Sequence, residues 1–128
     1  MTITIDSTSY DVAIKIVNRR AEALDKYAER TQDGELHREL IGWFFNYDIE
    51  CGMSSNNVSD YAALFLKLTE PTEFHTISMP GAPSGYGSFT CYFASIRDEL
   101  QRYQRNGVDY FRNLSFSVIA KSPARVPV

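Results

Sequence analysis

Residues 39–52, ELIGWFFNYDIECG, constrain the fold more strongly than any other part of the chain. Apolar side chains occupy every second position from Ile41 to Cys51, which is the spacing of one face of a β-strand. The other face is apolar at Leu40 and Phe44 and turns polar only after them. The pattern predicts a central strand whose second face needs a cover at its beginning.

We expect two side chains of the alternating set, Trp43 and Phe45, to enter the main core. Gly42 lies between Ile41 and Trp43. A glycine inside a strand marks either a close approach of another backbone segment or a β-bulge. Both possibilities stay open from the sequence.

One helix is strongly indicated over residues 58–69. Asn57 is a plausible N-cap, Ser59 competes with it, and Pro71 stops the helix soon after its end. The apolar side chains at the i, i+3, i+4 and i+7 positions of one helical face are Tyr61, Leu64, Phe65 and Leu68. Because this face must be buried, we expect the helix to cover the second face of the central strand; a neighbouring subunit is the alternative cover.

The other elements follow from alternation and turn signals. TITID and YDVAIKIVN alternate on either side of a turn-prone segment and predict a hairpin. Residues 19–34 fit either a helix or two strand extensions joined by a charged loop. Asn106-Gly107 is the strongest short hairpin signal and predicts one long hairpin over residues 88–120 with a projecting, charged tip. The proline-containing tail, residues 121–128, is expected to leave the sheet.

Together these elements predict a single α+β domain over residues 1–128. We expect an antiparallel β-sandwich or barrel-like sheets, one main α-helix at about residues 58–69 and a long C-terminal hairpin. With 44% apolar residues, the chain has enough material for a core. The net charge is -3 and no positive face is visible, so nucleic-acid binding is not expected. No apolar run is long enough for a membrane span, and no signal peptide is visible.

The chemically reactive side chains form no recognisable set. His37 and His75 lack metal-ligand spacing, and Cys51 and Cys91 are not beside basic residues or at a helix start. We expect the cysteines to be two reduced, buried core residues rather than a disulfide. The sequence therefore predicts no catalytic residue, no metal and no cofactor.

Two further patterns favour simple explanations. The loop PGAPSGYG precedes a strand rather than a helix, which argues against a phosphate-binding loop. Asp48 and Glu50 fit a solvated outer strand face. Arginines flank the predicted Asn106-Gly107 tip, but acidic residues alternate with them, which indicates salt-bridged strands.

Three segments together resemble small proteins encoded in the phage and prophage tail-gene clusters of Gram-positive bacteria. HRELIGWFFNYDIECGM resembles a strand of that family, and YAALFLKLTEPTEFHTISMP is similar to its following helix and strand. VDYFRNLSFSVIAKSPARVP resembles the family's last strand and proline-containing ending. The three segments occur in the family's order and cover about 90 residues.

The resemblance implies a virion component and not an enzyme. Related tail-tube and baseplate modules consist of a β-sandwich or barrel flanked by one helix and work by forming rings. We therefore expect a protein made in the bacterial cytoplasm and located in the virion tail. Its expected partners are further copies of itself and other phage tail proteins, with no membrane contact.

Two projecting segments are the expected interfaces of this homo-oligomer. The contact residues predicted at the C-terminal hairpin are Tyr103, Arg105, Asn106, Tyr110 and Arg112. The second predicted set, in the first uncertain loop, is Lys26, Tyr27, Arg30 and Gln32.

Two other functions remain as alternatives. A small phage-encoded protein that sequesters a host defence component or a nucleotide signal would share this size and acidity. A hydrolase would require a closed pocket that holds His37 or His75 beside a carboxylate or a thiol.

Overall fold

The computed structural model describes residues 2–54, 57–79, 87–100 and 111–127, which form six strands and one helix. The elements are β1 (Thr2–Ile5), β2 (Thr8–Arg30), β3 (Leu36–Met53), α1 (Val58–Leu68), β4 (His75–Ser78), β5 (Ser88–Leu100) and β6 (Phe111–Ala120). All strand pairs are antiparallel, and they close into a barrel in the order β1-β2-β3-β6-β5-β4. The expected barrel-like sheet is confirmed, and the sandwich alternative is not the arrangement found.

The predicted first hairpin is confirmed, and a two-residue turn joins its strands. Asp6 and Ser7 have φ values of 49° and 72°, as both central residues of a mirror-image hairpin turn require. The Asp6 carboxylate accepts a hydrogen bond from the backbone N–H of Thr76, at 2.9 Å. This turn thus also ties β1 to β4, the joint at which the barrel closes.

The core fills the barrel with the inward side chains of all six strands and one face of the helix. The strand side chains reach the interior because every second residue of a strand points to the same side. The fully buried side chains include Ile3, Ile5, Val12, Tyr47, Cys51, Leu64, Ile77, Met79, Cys91, Leu114 and Val118.

The helix begins and ends nearly where the sequence predicts. Asn57 is the N-cap, since its side-chain oxygen accepts a hydrogen bond from the backbone N–H of Asp60 at 3.1 Å. The Asp60 carboxylate accepts a hydrogen bond from the N–H of Asp11 in β2, and the Tyr61 hydroxyl donates to Asp98 in β5. The helix therefore bridges β2 and β5, with Leu64 pointing into the core.

The expectation that the helix covers Leu40 and Phe44 is wrong. The helix follows the Met53 end of β3, whereas Leu40 and Phe44 lie near its other end. At ~3.3 Å per residue, Phe44 is roughly 30 Å from Met53, farther than the helix reaches.

Residues 19–45 form a two-stranded arm that continues β2 and β3 away from the barrel. β3 pairs with β6 only between Tyr47 and Cys51, so the sheet narrows to two strands beyond Tyr47. Arg30 and Leu36 are the last pair before the turn. Of the two possibilities for residues 19–34, the strand extension is the one that forms.

The expectation that Trp43 and Phe45 enter the main core is correct in part. Phe45 is half-buried and packs against the core, whereas Trp43 is 40% exposed on the arm, so its placement is wrong. The alternation that buries Tyr47 and Ile49 continues past Phe45 to Trp43, where solvent and the tail take the place of the barrel.

The tail does not leave the sheet as predicted. The N–H of Trp43 donates to the carbonyl of Arg125 at 2.8 Å, and the N–H of Ala124 donates to the carbonyl of Trp43 at 2.9 Å. A Cβ on Gly42 would lie 2.7 Å from both the Arg125 oxygen and Pro123 Cβ. The pairing register also shifts between Leu24 and Asp25, so both meanings proposed for this glycine, close approach and bulge, are confirmed.

β5 and β6 pair from Cys91 with Ala120 to Leu100 with Phe111. The predicted turn at Asn106-Gly107 lies outside the described residues, so the complete C-terminal hairpin stays a prediction. Ser95 and Asn113 have φ values of 55° and adopt the left-handed conformation.

Candidate functional site

The arm exposes an unusual number of large apolar side chains for a thin, two-stranded element. Each of them is between 40% and 63% exposed. They are Leu24, Tyr27, Leu36, Ile41, Trp43 and, from the tail that crosses the arm, Val126. The pairing register places them on both faces of the arm, and exposed apolar surface of this extent is typical of a protein contact site.

The strand edges of the arm are also open. Among the described residues, no strand pairs with the second edge of residues 19–30 in β2. The corresponding edge of β3 is open from Leu36 to Phe45, except at the contact of Trp43 with Arg125. Unpaired backbone N–H and C=O groups along a flat strand can pair with a strand of another chain. The arm can therefore bind through its edges as well as its side chains.

The structure places the second predicted set of interface residues on this arm. Lys26, Tyr27 and Arg30 belong to β2, and Gln32 is an exposed residue of the turn that follows. Tyr27 is 50% exposed, and Arg30 donates a hydrogen bond to the carbonyl of Gly34. Lys26 has no ion-pair or hydrogen-bond partner in the described part of the chain.

Most of the first predicted set cannot be placed, because Tyr103, Arg105, Asn106 and Tyr110 lie outside the described residues. Arg112 is described, and its Nε lies 3.3 Å from the Glu99 carboxylate. That ion pair agrees with the predicted salt-bridged strands.

Arg112, the described residue of the first set, lies at the end of the molecule opposite the arm. Leu114 of β6 pairs with Cys51 of β3, so Phe111 and Arg112 lie beyond the Met53 end of β3. The arm extends from the other end of the same strand. One copy of the chain therefore presents two separated surfaces.

An apolar groove, which the sequence did not predict, lies at the end opposite the arm. Its volume is about 370 Å³. Six residues that define this helix groove are Met53, Tyr61, Phe65, Leu66, Asp98 and Phe111. Leu66 is 69% exposed and does not belong to the apolar face of the helix. A large apolar residue on the polar side of a helix was the one sequence signal that could have indicated this groove.

His75 lies beside a carboxylate, and its ring is buried whereas the carboxylate of Asp6 is partly exposed. Its Nδ1 is 2.7 Å from Oδ2 of Asp6, its ring stacks on Phe93 at 5.3 Å, and only 3% of the residue is exposed. Within the described residues, its Nε2 has no hydrogen-bond partner. This arrangement anchors β4 to the first turn and leaves the histidine ring shielded from solvent. His37, the other histidine, is an exposed residue of the arm.

Asp6 is the charged centre of this anchor. Hydrogen bonds from the Thr76 backbone and from His75, together with Lys67, lower the pKa of Asp6 to about 2. The Lys67 ammonium lies 3.2 Å from the same carboxylate and joins the helix to the turn.

Cys51 and Cys91 are free thiols in the core. Burial raises the pKa of each thiol to about 12, so both are protonated at neutral pH. A protonated, inaccessible thiol is a poor nucleophile. The expectation of two buried core cysteines is confirmed.

A second groove, of about 390 Å³, crosses the outer faces of β2, β3, β6 and β5. It holds Arg97 but also Asp48 and Glu50. Asp48 accepts hydrogen bonds from Arg20 and Ser117 on this face, as expected for a solvated outer surface. Two carboxylates beside one guanidinium oppose the binding of a phosphate-bearing signal molecule.

Within the described ranges, no group of three or more His, Cys, Asp or Glu residues is arranged to hold a metal ion. Nor does the part of the chain that is described contain a helix with the length and apolar character needed to cross a bilayer.

No protein-family model matches this chain, and none of the curated proteins matches its sequence.

Proposed function

We propose that this chain is a non-enzymatic structural protein that acts by self-assembly, as a phage or prophage tail-associated component. The observation that carries the proposal is the arm, a two-stranded extension whose apolar side chains and strand edges are left uncovered by its own barrel. A subunit of an assembly uses such an extension to bury apolar area against a neighbour.

The tail-associated role is supported by the resemblance of three ordered segments to proteins of phage tail-gene clusters. A barrel flanked by one helix agrees with the architecture which that resemblance implies. In this role the protein performs no reaction, and its partners are other copies and other tail proteins.

Two tyrosines provide a matched test of the arm. Tyr27 on the arm and Tyr92 on β5 are 50% and 43% exposed, and both lie in strands. Tyr27→Ser removes an aromatic contact of the kind that dominates interfaces, so we expect the dissociation constant for self-association to rise about tenfold or more. Tyr92→Ser should leave it unchanged. Sedimentation velocity over a concentration series measures both.

A wild-type protein that stays monomeric up to millimolar concentration, with no rings or filaments by electron microscopy, would contradict the proposal. Equal effects of the two substitutions would show that the arm is not the contact surface.

A further inference from the structure

We propose that the arm of one copy docks into the helix groove of the next, with Lys26 of the arm opposite Asp98 of the groove. This inference rests on the proposed self-assembly and specifies which two surfaces meet. It makes the contact heterologous, that is, head-to-tail.

The first support is the position of the two surfaces. Glu39, the strand partner of Tyr27, and Met53 of the groove lie at opposite ends of β3. At ~3.3 Å per residue, roughly 45 Å separates them. Because the arm continues β2 and β3 away from the barrel, its tip extends away from the groove of its own chain. Only a second copy can bring an arm to the groove.

The second support is the chemical match of the surfaces. The groove is lined mainly by apolar side chains, among them Phe65, Leu66 and Phe111. Near its tip the arm presents an exposed apolar side chain on each face, Tyr27 on one and Leu36 on the other, each 50% exposed. Docking the Tyr27 face on the groove removes apolar surface of both from water without any rearrangement of the barrel.

The third support is the charge. Asp98 is the one carboxylate among the described groove residues. Among these residues it accepts a hydrogen bond from the Tyr61 hydroxyl, at 3.2 Å. No cation pairs with it in the described part of the chain. On the arm, Arg20 and Arg38 are already paired with acidic neighbours, whereas Lys26 has no described partner. A carboxylate in an apolar groove favours a cation as its partner across an interface, and Lys26 is an exposed cation beside Tyr27 on the arm.

The consequence for the assembly is geometric. A heterologous contact leaves a free arm at one end and a free groove at the other after each addition. Such a contact continues until the rotation between copies closes a ring, or otherwise forms an open filament. An arm-to-arm contact would instead stop at a dimer.

A charge exchange tests the pairing. Lys26→Asp and Asp98→Lys each place like charges together, so each variant alone should associate about tenfold or more weakly than the wild type. Mixing the two variants restores opposite charges at every contact and should recover the wild-type dissociation constant. Arg30→Asp, on the same strand, is the control and should not be rescued by Asp98→Lys. Circular dichroism and a melting curve of each variant establish that it is folded.

Cysteine cross-linking tests the geometry without altering the charges. Tyr27→Cys and Leu66→Cys in one chain should give a ladder of disulfide-linked species on mild oxidation, because the two native thiols are buried. Before assembly, at low concentration, both introduced thiols should react with a water-soluble maleimide.

Each other outcome overturns a defined part of the inference. Assembly that survives both charge reversals would show that Lys26 and Asp98 do not meet, and dimers that form with Tyr27→Cys alone would show that arms meet arms. In either case the proposed function would stand and the docking would not. An unreactive Leu66→Cys thiol in the monomer would show that the groove is filled by its own chain. A chain that never self-associates would overturn both proposals together.

Discussion

At the residue scale, the first turn does more than reverse the chain. Asp6 uses one carboxylate to bond the Thr76 backbone, His75 and Lys67. Three elements therefore meet at one side chain: the β1–β2 turn, β4 and the helix. The sequence signalled the turn through its polar residues, but it gave no sign that this aspartate reaches a histidine so far along the chain.

We expect Asp6→Asn to lower the free energy of unfolding by about 1 kcal/mol at neutral pH. The lowered pKa alone would suggest a larger effect, but the side chain is 34% exposed and solvent screens it. Asparagine tolerates the left-handed backbone and keeps an acceptor for the Thr76 N–H, while its NH2 replaces the oxygen that His75 and Lys67 contact, so the change removes the charge together with those two contacts.

This effect should depend on pH in a defined direction. Because the folded-state pKa of about 2 lies below the usual aspartate pKa of 3.8, the stabilisation is present above about pH 4 and is lost as the pH falls through about 2. Urea denaturation of both proteins at several pH values measures the difference. A gap between wild type and variant that widens in acid would contradict this account.

The N-cap offers a second test at a single residue. Asn57→Ala should cost about 1 kcal/mol of stability, since it removes the acceptor for the Asp60 N–H. Ser59→Ala is the matched control, because Ser59 is an exposed helical residue that forms no cap. Chemical denaturation of the two variants compares them, and equal losses would argue that the cap is not decisive.

At the scale of elements, alternation and helical spacing identified the helix, the first hairpin and most strands. These patterns report which side chains share a face. They do not report what lies opposite that face. Tyr47 and Trp43 belong to the same alternating series, yet β6 and the barrel face the first while solvent and the tail face the second. That is the physical reason why the alternation predicts Trp43 in the core although the structure leaves it exposed.

The contact between the tail and the arm depends on Gly42. We expect Gly42→Ala to displace Pro123 and Arg125 and to lower stability by about 1–3 kcal/mol, because its new Cβ would lie 2.7 Å from both segments. The backbone hydrogen bonds of Trp43 should then break, so that its amide exchanges faster with solvent deuterons.

Gly52 provides the control in the same strand. A Cβ there would meet only the flexible end of Lys15, at 3.4 Å. Gly52→Ala should therefore leave Trp43 amide exchange unchanged. Similar exchange rates in both variants would show that the tail is not held by this close approach.

At the scale of the whole molecule, the barrel closes through pairs that are distant in sequence. Ile5 pairs with Ile77, and Thr4 pairs with Ser78. No local pattern reveals such pairs, and this is why the sequence left sandwich and barrel as alternatives. The candidate surfaces were predictable only in part. The sequence predicts Lys26 and Tyr27 as interface residues of a loop. The groove is not predictable in this way, because its lining comes from the helix, β5 and β6, which are separate in sequence.

The single tryptophan of the chain, Trp43, lies on the arm, beside the tail and 40% exposed. The emission of an indole ring shifts to shorter wavelength when water around it is replaced by apolar groups. The native protein thus has an intrinsic optical probe at the element to which we assign contact between copies. Fluorescence of the unlabelled chain can therefore follow that contact in real time, because its one tryptophan reports from the arm alone.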